Sequence, residues 1–184
     1  MTRAIFLDRD GTLIEDRDYL SSPDQVVLIP KSAGALRQAQ AQGLKLIMVT
    51  NQSGVGRGFF TMEDVQKVHH RIADYLSDAG VKLDAIYIAP EGPDQPSRGR
   101  KPSPQFLFDA RDEHGVRLEA SYMVGDKWID LECGWNAGVK RSILVRTGYG
   151  RQVEPTATFK DKTWVADDLA GAVALILNDL ALKH

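Results

Sequence analysis

The sequence of 184 residues contains 43% hydrophobic and 26% charged residues and carries a formal net charge of −2. That composition describes one globular domain long enough to bury a continuous core, and its near-neutral balance excludes a broad attraction to nucleic acid or a membrane surface, so any anion site must be local. The lone cysteine, Cys133, excludes an intrachain disulfide and a multi-cysteine zinc site.

Apolar runs rich in branched residues alternate with helical patterns, the signature of an α/β protein whose mainly parallel sheet is covered on both faces. The chain opens at Met1 directly on a strand pattern at 4–7, with no signal-peptide segment. No apolar run approaches membrane-spanning length, so a cytoplasmic address is expected. Residues 32–42 read as a helix closed by Gly43, then 44–49 as a strand, then 61–79 as a longer helix closed by Gly80. Val65, Val68, Ile72, Leu76 and Ala79 recur at three- and four-residue steps and should face the sheet. A strand at 85–89 precedes a Pro- and Gly-rich loop at 91–99. Ser103 and Pro104 suit an N-cap and first helical residue, opening a helix that Gly115 ends. Strands at 122–124 and 142–145 follow, then a polar loop at 148–159. A last helix is expected at 168–181 behind an N-cap at Asp167, with Asp161, Lys162, Asp167 and Asp168 read as a solvated boundary.

Ligands of open α/β sheets bind outside the carboxyl ends of the strands. Asp8-Arg9-Asp10-Gly11-Thr12, Thr50-Asn51-Gln52-Ser53-Gly54, Arg100-Lys101 and Gly125-Asp126-Lys127 fall at such ends. Two carboxylates flanking one residue after a buried strand are costly unless a cation or a reaction needs them. Magnesium prefers such hard oxygen ligands, and Asp8, Asp10 and Asp126 would suffice, with Asp130 one helical turn on to orient the set. The same pair suits phosphoryl transfer, one acid attacking phosphorus and the other moving protons. Thr50 with backbone N–H groups near Asn51 would donate to the phosphoryl oxygens, and Lys101 would offset the charge repelling an aspartate nucleophile. Taken singly, a strand-end acid, a Thr in a turn or a Lys is more often structural or solvated; the four together point to chemistry.

In order and type these four segments resemble the motifs of the haloacid dehalogenase superfamily, over roughly residues 4–147. The resemblance implies a three-layer Rossmann-like fold, Asp8 as nucleophile, Asp10 as acid and base, and magnesium held by Asp8, the Asp10 carbonyl and Asp126. With an acid rather than a Thr at position 10, the aspartyl phosphate should hydrolyse quickly, which favours a phosphatase over a transport ATPase. The longer matches, 6–12, 50–58, 100–102 and 124–127, look like the branch of D-glycero-D-manno-heptose 1,7-bisphosphate 7-phosphatases and histidinol-phosphate phosphatases. Carried over by position, Asp16, Arg17, Asp18 and Tyr19 line a substrate loop. Asn51, Gln52 and Ser53 touch substrate beside Thr50, Arg100 reads its distal part, and Lys127 binds it.

The sequence departs from that branch at 90–99, which holds no Cys or His where many relatives carry a zinc loop, so no zinc is expected. Residues 11–30 are too few for a cap domain, so an open site is expected. Arg98, Arg100 and Lys101, without neighbouring aromatics, make a poor nucleic-acid patch and suit a small phosphorylated ligand better. His69 and His70, about 100° apart on a helix, read as surface residues, and Cys133 as packed. Trp128 and Trp135 are expected on one helix face. The reading is thus a monomeric phosphatase of a small sugar phosphate. Histidinol phosphate or a polynucleotide 3'-phosphate remains as an alternative substrate, and a non-catalytic binding protein of the same fold as the alternative class, although such a protein would be expected to lose Asp8 or Asp10 first.

Overall fold

Ala4–Leu7 (β1), Lys45–Asn51 (β2), Ala85–Ala89 (β3), Tyr122–Gly125 (β4), Arg141–Val145 (β5) and Thr163–Ala166 (β6) form one sheet in the order β3-β2-β1-β4-β5-β6. Every pairing is parallel, with Ile5 opposite both Leu46 and Tyr122. This computed structural model describes residues 2–153 and 161–182. The alternation of side chains along each strand sorts the core into two faces. Ile5, Leu7, Leu46, Met48 and Val124 meet Ser32–Ala41 (α1), Met62–Asp78 (α3) and Leu169–Ala181 (α6). Ala4, Phe6, Ile47, Val49 and Met123 meet Gln105–His114 (α4) and Trp128–Ala137 (α5). The fold is therefore three-layered and Rossmann-like, and among the described residues no second folded unit interrupts it.

The helical stripe behaves as the periodicity predicts: Val65, Val68, Ile72 and Leu76 are buried on α3, which Thr61 caps through the Asp64 N–H at 3.2 Å. Two helix starts shift by one residue. Pro104 is the N-cap of α4 rather than its first residue, because its ψ of 1° lies outside the helix, and Ser103 Oγ accepts from the Gln105 N–H. Asp168, extended and accepting from the Gly171 N–H at 2.8 Å, caps α6 in place of Asp167. The sequence reading missed β6. Its four residues lie at the sheet edge between the charged pairs that had been read as a boundary, and only pairing with β5 makes them a strand. The loop read at 148–159 begins with a turn at Gly148–Arg151, and its residues 154–159 lie outside the described ones.

The strand order reverses at β1, between β2 and β4. The crevice outside that reversal is where this topology places a ligand. A larger concavity of about 670 Å³ lies at the opposite end of the sheet, lined by Arg3, Gln42, Arg117 and Leu180. Its walls include the carboxyl ends of α1 and α6, whose carbonyl charge the arginines complement.

Candidate active site

The turn after β1 carries Asp8 and Asp10, and the turn after β4 carries Asp126 and Lys127. The Asp8 N–H donates to the Val124 carbonyl at 3.0 Å, which sets the two loops side by side. Lys101 reaches in from the 91–101 segment, 3% exposed, with its ammonium 2.6 Å from Asp8 Oδ1 and 2.6 Å from Asp130 Oδ1. Asn51, at the end of β2, fixes the Lys101 backbone on both sides, accepting from its N–H at 3.0 Å and donating to its carbonyl at 3.2 Å.

Asp10 is held differently. Arg9 donates to both of its oxygens, Nε at 2.9 Å and Nη2 at 3.0 Å, and Gln52 Nε2 donates to it at 3.0 Å. The other hydrogen of the Gln52 amide goes to Thr50 Oγ1 at 2.7 Å, which leaves the Thr50 hydroxyl proton free to donate elsewhere. Arg9 is itself 1% exposed, and its Nη1 lies 3.4 Å from His69 Nε2. A guanidinium only donates, so His69 must present an unprotonated Nε2. Burial first, and the Arg9 charge second, push the His69 pKa down to about 3, which agrees with that tautomer. His69 is therefore not a surface residue. It lies one position past Val68 on the apolar stripe, within reach of the core edge.

The electrostatics show a site short of positive charge. Burial pushes the Asp8 carboxyl up to about 6 against the pull of Lys101, and burial followed by the Asp8 charge pushes Asp126 up to about 8. Burial lowers Lys101, but Asp130 and Asp8 together outweigh it and hold the ammonium above the ordinary amine range. Asp8, Asp126 and Asp130 each bring one carboxylate oxygen within 4.8 Å of the others. Asp126 Oδ2 accepts from the Tyr149 N–H at 2.8 Å, while its buried Oδ1 has no hydrogen-bond partner. A buried carboxylate oxygen without a donor, beside two more acids, suits a hard divalent cation.

Beside these acids opens a cavity of about 240 Å³, lined by Asp10, Asp16, Asp18, Tyr19, Asn51, Gln52, Ser53 and Lys127 among others. Most of the residues singled out in the sequence thus share one space. Lys127 Nζ is 3.3 Å from Asp16 Oδ2. Besides the buried Lys101, three basic residues named from the sequence fall outside the lining. Arg17 is exposed and pairs with Glu15 at 3.0 Å. Arg98 turns away to a two-point pair with Asp109 of α4, so it does not extend a phosphate anchor. Arg100 holds the Glu91 carbonyl at 3.0 Å and lies within electrostatic reach of Tyr19. The 91–99 loop is braced by Ser97 Oγ donating to Glu91 at 2.7 Å and Gln95 accepting from the Gly92 N–H at 2.6 Å. Cys133 is buried, its thiol pushed up to about 12 by burial, and Trp128 and Trp135 meet edge to face at 5.4 Å.

The sequence reading missed a fifth strand end. Thr147 Oγ1 donates to the Gly11 carbonyl at 2.6 Å, and Gly11 and Gly148 crowd the Asp126 carboxylate from two sides, so that a Cβ on either would strike it. Both also have positive φ, 79° and 51°. The Arg-Thr-Gly-Tyr-Gly run at 146–150 carried a glycine-rich signal that a loop reading absorbed.

A model of the Polynucleotide kinase 3 phosphatase family matches residues 3–129, and a HAD-hydrolase-like model matches 99–172. The D-glycero-D-manno-heptose-1,7-bisphosphate 7-phosphatase of Chlorobaculum tepidum is 38% identical over 93% of this chain and 92% of its own length. The D-glycero-beta-D-manno-heptose-1,7-bisphosphate 7-phosphatase of Escherichia coli (strain K12) is 38% identical over 91% and 90%. A crystal structure of the D,D-heptose 1,7-bisphosphate phosphatase of B. bronchiseptica, complexed with magnesium and phosphate, superposes with a TM-score of 0.89 at 32% identity, covering 97% of this chain and 99% of that one. With the fold, the four ordered motifs and these relatives in agreement, the chain belongs to the haloacid dehalogenase superfamily of phosphatases, in the family of the D-glycero-D-manno-heptose-1,7-bisphosphate 7-phosphatases.

Proposed function

We propose that this single-domain chain removes the 7-phosphate of D-glycero-D-manno-heptose 1,7-bisphosphate, as a magnesium-dependent cytoplasmic monomer supplying heptose for lipopolysaccharide. The observation that carries the reading is the pairing of buried Lys101 with Asp8 at 2.6 Å, beside an Asp10 held by Arg9 and Gln52. Lys101 occupies Asp8 Oδ1, so Oδ2 is the attacking oxygen. It bonds to phosphorus as the bond from phosphorus to the sugar oxygen breaks, and Asp10 gives that oxygen its proton. Asp10 then takes a proton from water as the water oxygen displaces Asp8 from phosphorus, which releases inorganic phosphate and restores both acids. Thr50, whose hydroxyl proton is free, donates to a phosphoryl oxygen, with Asn51 and Ser53 beside it. Lys101 keeps the transferring charge from repelling Asp8.

Asp8 and Asp126, grouped with Asp130, would hold magnesium, with the Asp10 carbonyl as the further ligand of this reading, and when bound the ion would supply the positive charge that brings an anionic phosphate next to these acids. Asp16, Asp18, Tyr19, Arg100 and Lys127 are proposed to seat the rest of the substrate, with Arg17 at the outer edge of that loop. A cavity of about 240 Å³ favours a small sugar phosphate over a polynucleotide.

The test is phosphate release with magnesium across both heptose 1,7-bisphosphate anomers, fructose 1,6-bisphosphate, histidinol phosphate and a 3'-phosphorylated oligonucleotide. The highest kcat/KM should fall on a heptose anomer. A preference for the oligonucleotide or histidinol phosphate would overturn the substrate and leave the chemistry standing.

A further inference from the structure

We infer that Tyr149 is a specificity-determining residue of this site, an aromatic wall that seats the polyol part of a sugar phosphate. The inference rests on the phosphatase reading above and adds a residue to it. The turn that carries Tyr149 is fastened without its side chain, through the Tyr149 N–H to Asp126 and Thr147 Oγ1 to Gly11. The fold therefore makes no demand on the ring, which belongs to none of the core clusters and is 42% exposed. Yet the ring lines the cavity and meets two of its functional groups. Lys127 Nζ stands 4.5 Å from the ring centroid, and the phenol oxygen lies 3.3 Å from Asp18 Oδ1.

A second exposed aromatic lines the same cavity. Tyr19 is 47% exposed and meets the Phe59 ring edge to face at 4.7 Å. Asp18 and Tyr19 both hold left-handed backbone, φ 29° and 55°, which non-glycine residues adopt at a cost and which concentrates at functional sites. Two exposed aromatic faces with Asp16 and Asp18 beside them match a polyhydroxylated ligand. The C–H faces of a sugar rest on rings, its hydroxyls donate to carboxylates, and Lys127 is held ready for negative charge. Water alone needs none of these groups.

The experiment compares Tyr149→Phe and Tyr149→Ala with the unsubstituted enzyme, in magnesium, on heptose 1,7-bisphosphate, fructose 1,6-bisphosphate and acetyl phosphate, which has no polyol. Tyr149→Ala should raise KM for the sugar bisphosphates by about three- to tenfold more than for acetyl phosphate, the worth of one aromatic contact. Tyr149→Phe, which keeps the ring, should recover most of that difference. Equal losses on all three substrates, or no loss on any, would overturn the assignment. Were the unsubstituted enzyme inactive on heptose bisphosphate, the substrate reading would fall, and the ratio of fructose bisphosphate to acetyl phosphate would still decide the role of Tyr149.

Discussion

Removing the metal should make stability fall as pH rises through 8, and Asp126 sets the size of the effect. Its carboxyl is pushed up to about 8 in the fold from an ordinary 3.8, chiefly by burial. A raised carboxyl binds its proton in the folded state over a range where the unfolded chain has lost it, so stability is present at low pH and is lost as pH climbs through the folded value. Between pH 7 and pH 9 the loss from this one group is about 1 kcal/mol. For a chain of this size that lowers Tm by about 2–4 °C. Asp8, pushed up to about 6, has shed its proton by pH 7, and the raised Cys133 thiol costs stability only as pH reaches its ordinary value of 9.0, a loss that Asp126→Asn shares and the comparison subtracts. His69, pushed down to about 3, costs stability only below its ordinary value of 6.5, and the raised lysines act above 10.5. The assay is thermal unfolding in EDTA at pH 7, 8 and 9, for the unsubstituted chain and for Asp126→Asn. The amide still accepts from the Tyr149 N–H but does not titrate. Magnesium should abolish the difference in slope and raise Tm most at pH 9, where no proton competes. Identical slopes for the two proteins in EDTA would refute the reasoning.

Asp8→Asn should abolish phosphate release while leaving the circular dichroism spectrum and the urea midpoint close to those of the parent, since the amide oxygen still accepts from Lys101. Lys101→Met should lower unfolding free energy by about 3–5 kcal/mol, because it strands Asp8 and Asp130 without their shared cation; a urea titration showing less than about 1 kcal/mol would mean the pair is already solvated. His69→Leu should cut kcat roughly tenfold with little change in KM by releasing Arg9, and His69→Gln, whose oxygen can accept, should restore most of it. Loss that Gln does not rescue would place His69 in packing alone.

The sheet and its chemistry were legible because they are written in short, contiguous strings. Four-residue apolar runs ending in Asp8 or Asp126 announce both a strand and its ligand-facing end. What escaped was written across the chain. Thr163–Ala166 becomes a strand only against β5, and its flanking charges hide it. His69 looks exposed beside His70, and its burial depends on Arg9, 60 residues away. Arg98 was grouped with Lys101 by adjacency, but α4 offers it Asp109, so neighbours in sequence separate in space. Tyr149 sits in a segment whose polarity resembles any surface loop, and only the meeting of Gly148 with Gly11 shows that it belongs to the site.

The ion pair between Lys101 and Asp8 spans 93 residues, and β1 must also wait for β4 to pair its second edge. During synthesis Asp8, the proposed nucleophile, therefore emerges long before its counterion and before the partners on its strand's second edge. A chain shorter than 101 residues lacks the cation that pairs with Asp8, and one ending before β4 lacks the second edge that holds Asp8 in place. A truncated translation product ending before β4 would lack Asp126 and Asp130 as well as the strand beside β1. The long reach that slows folding also ties chemistry to a finished molecule.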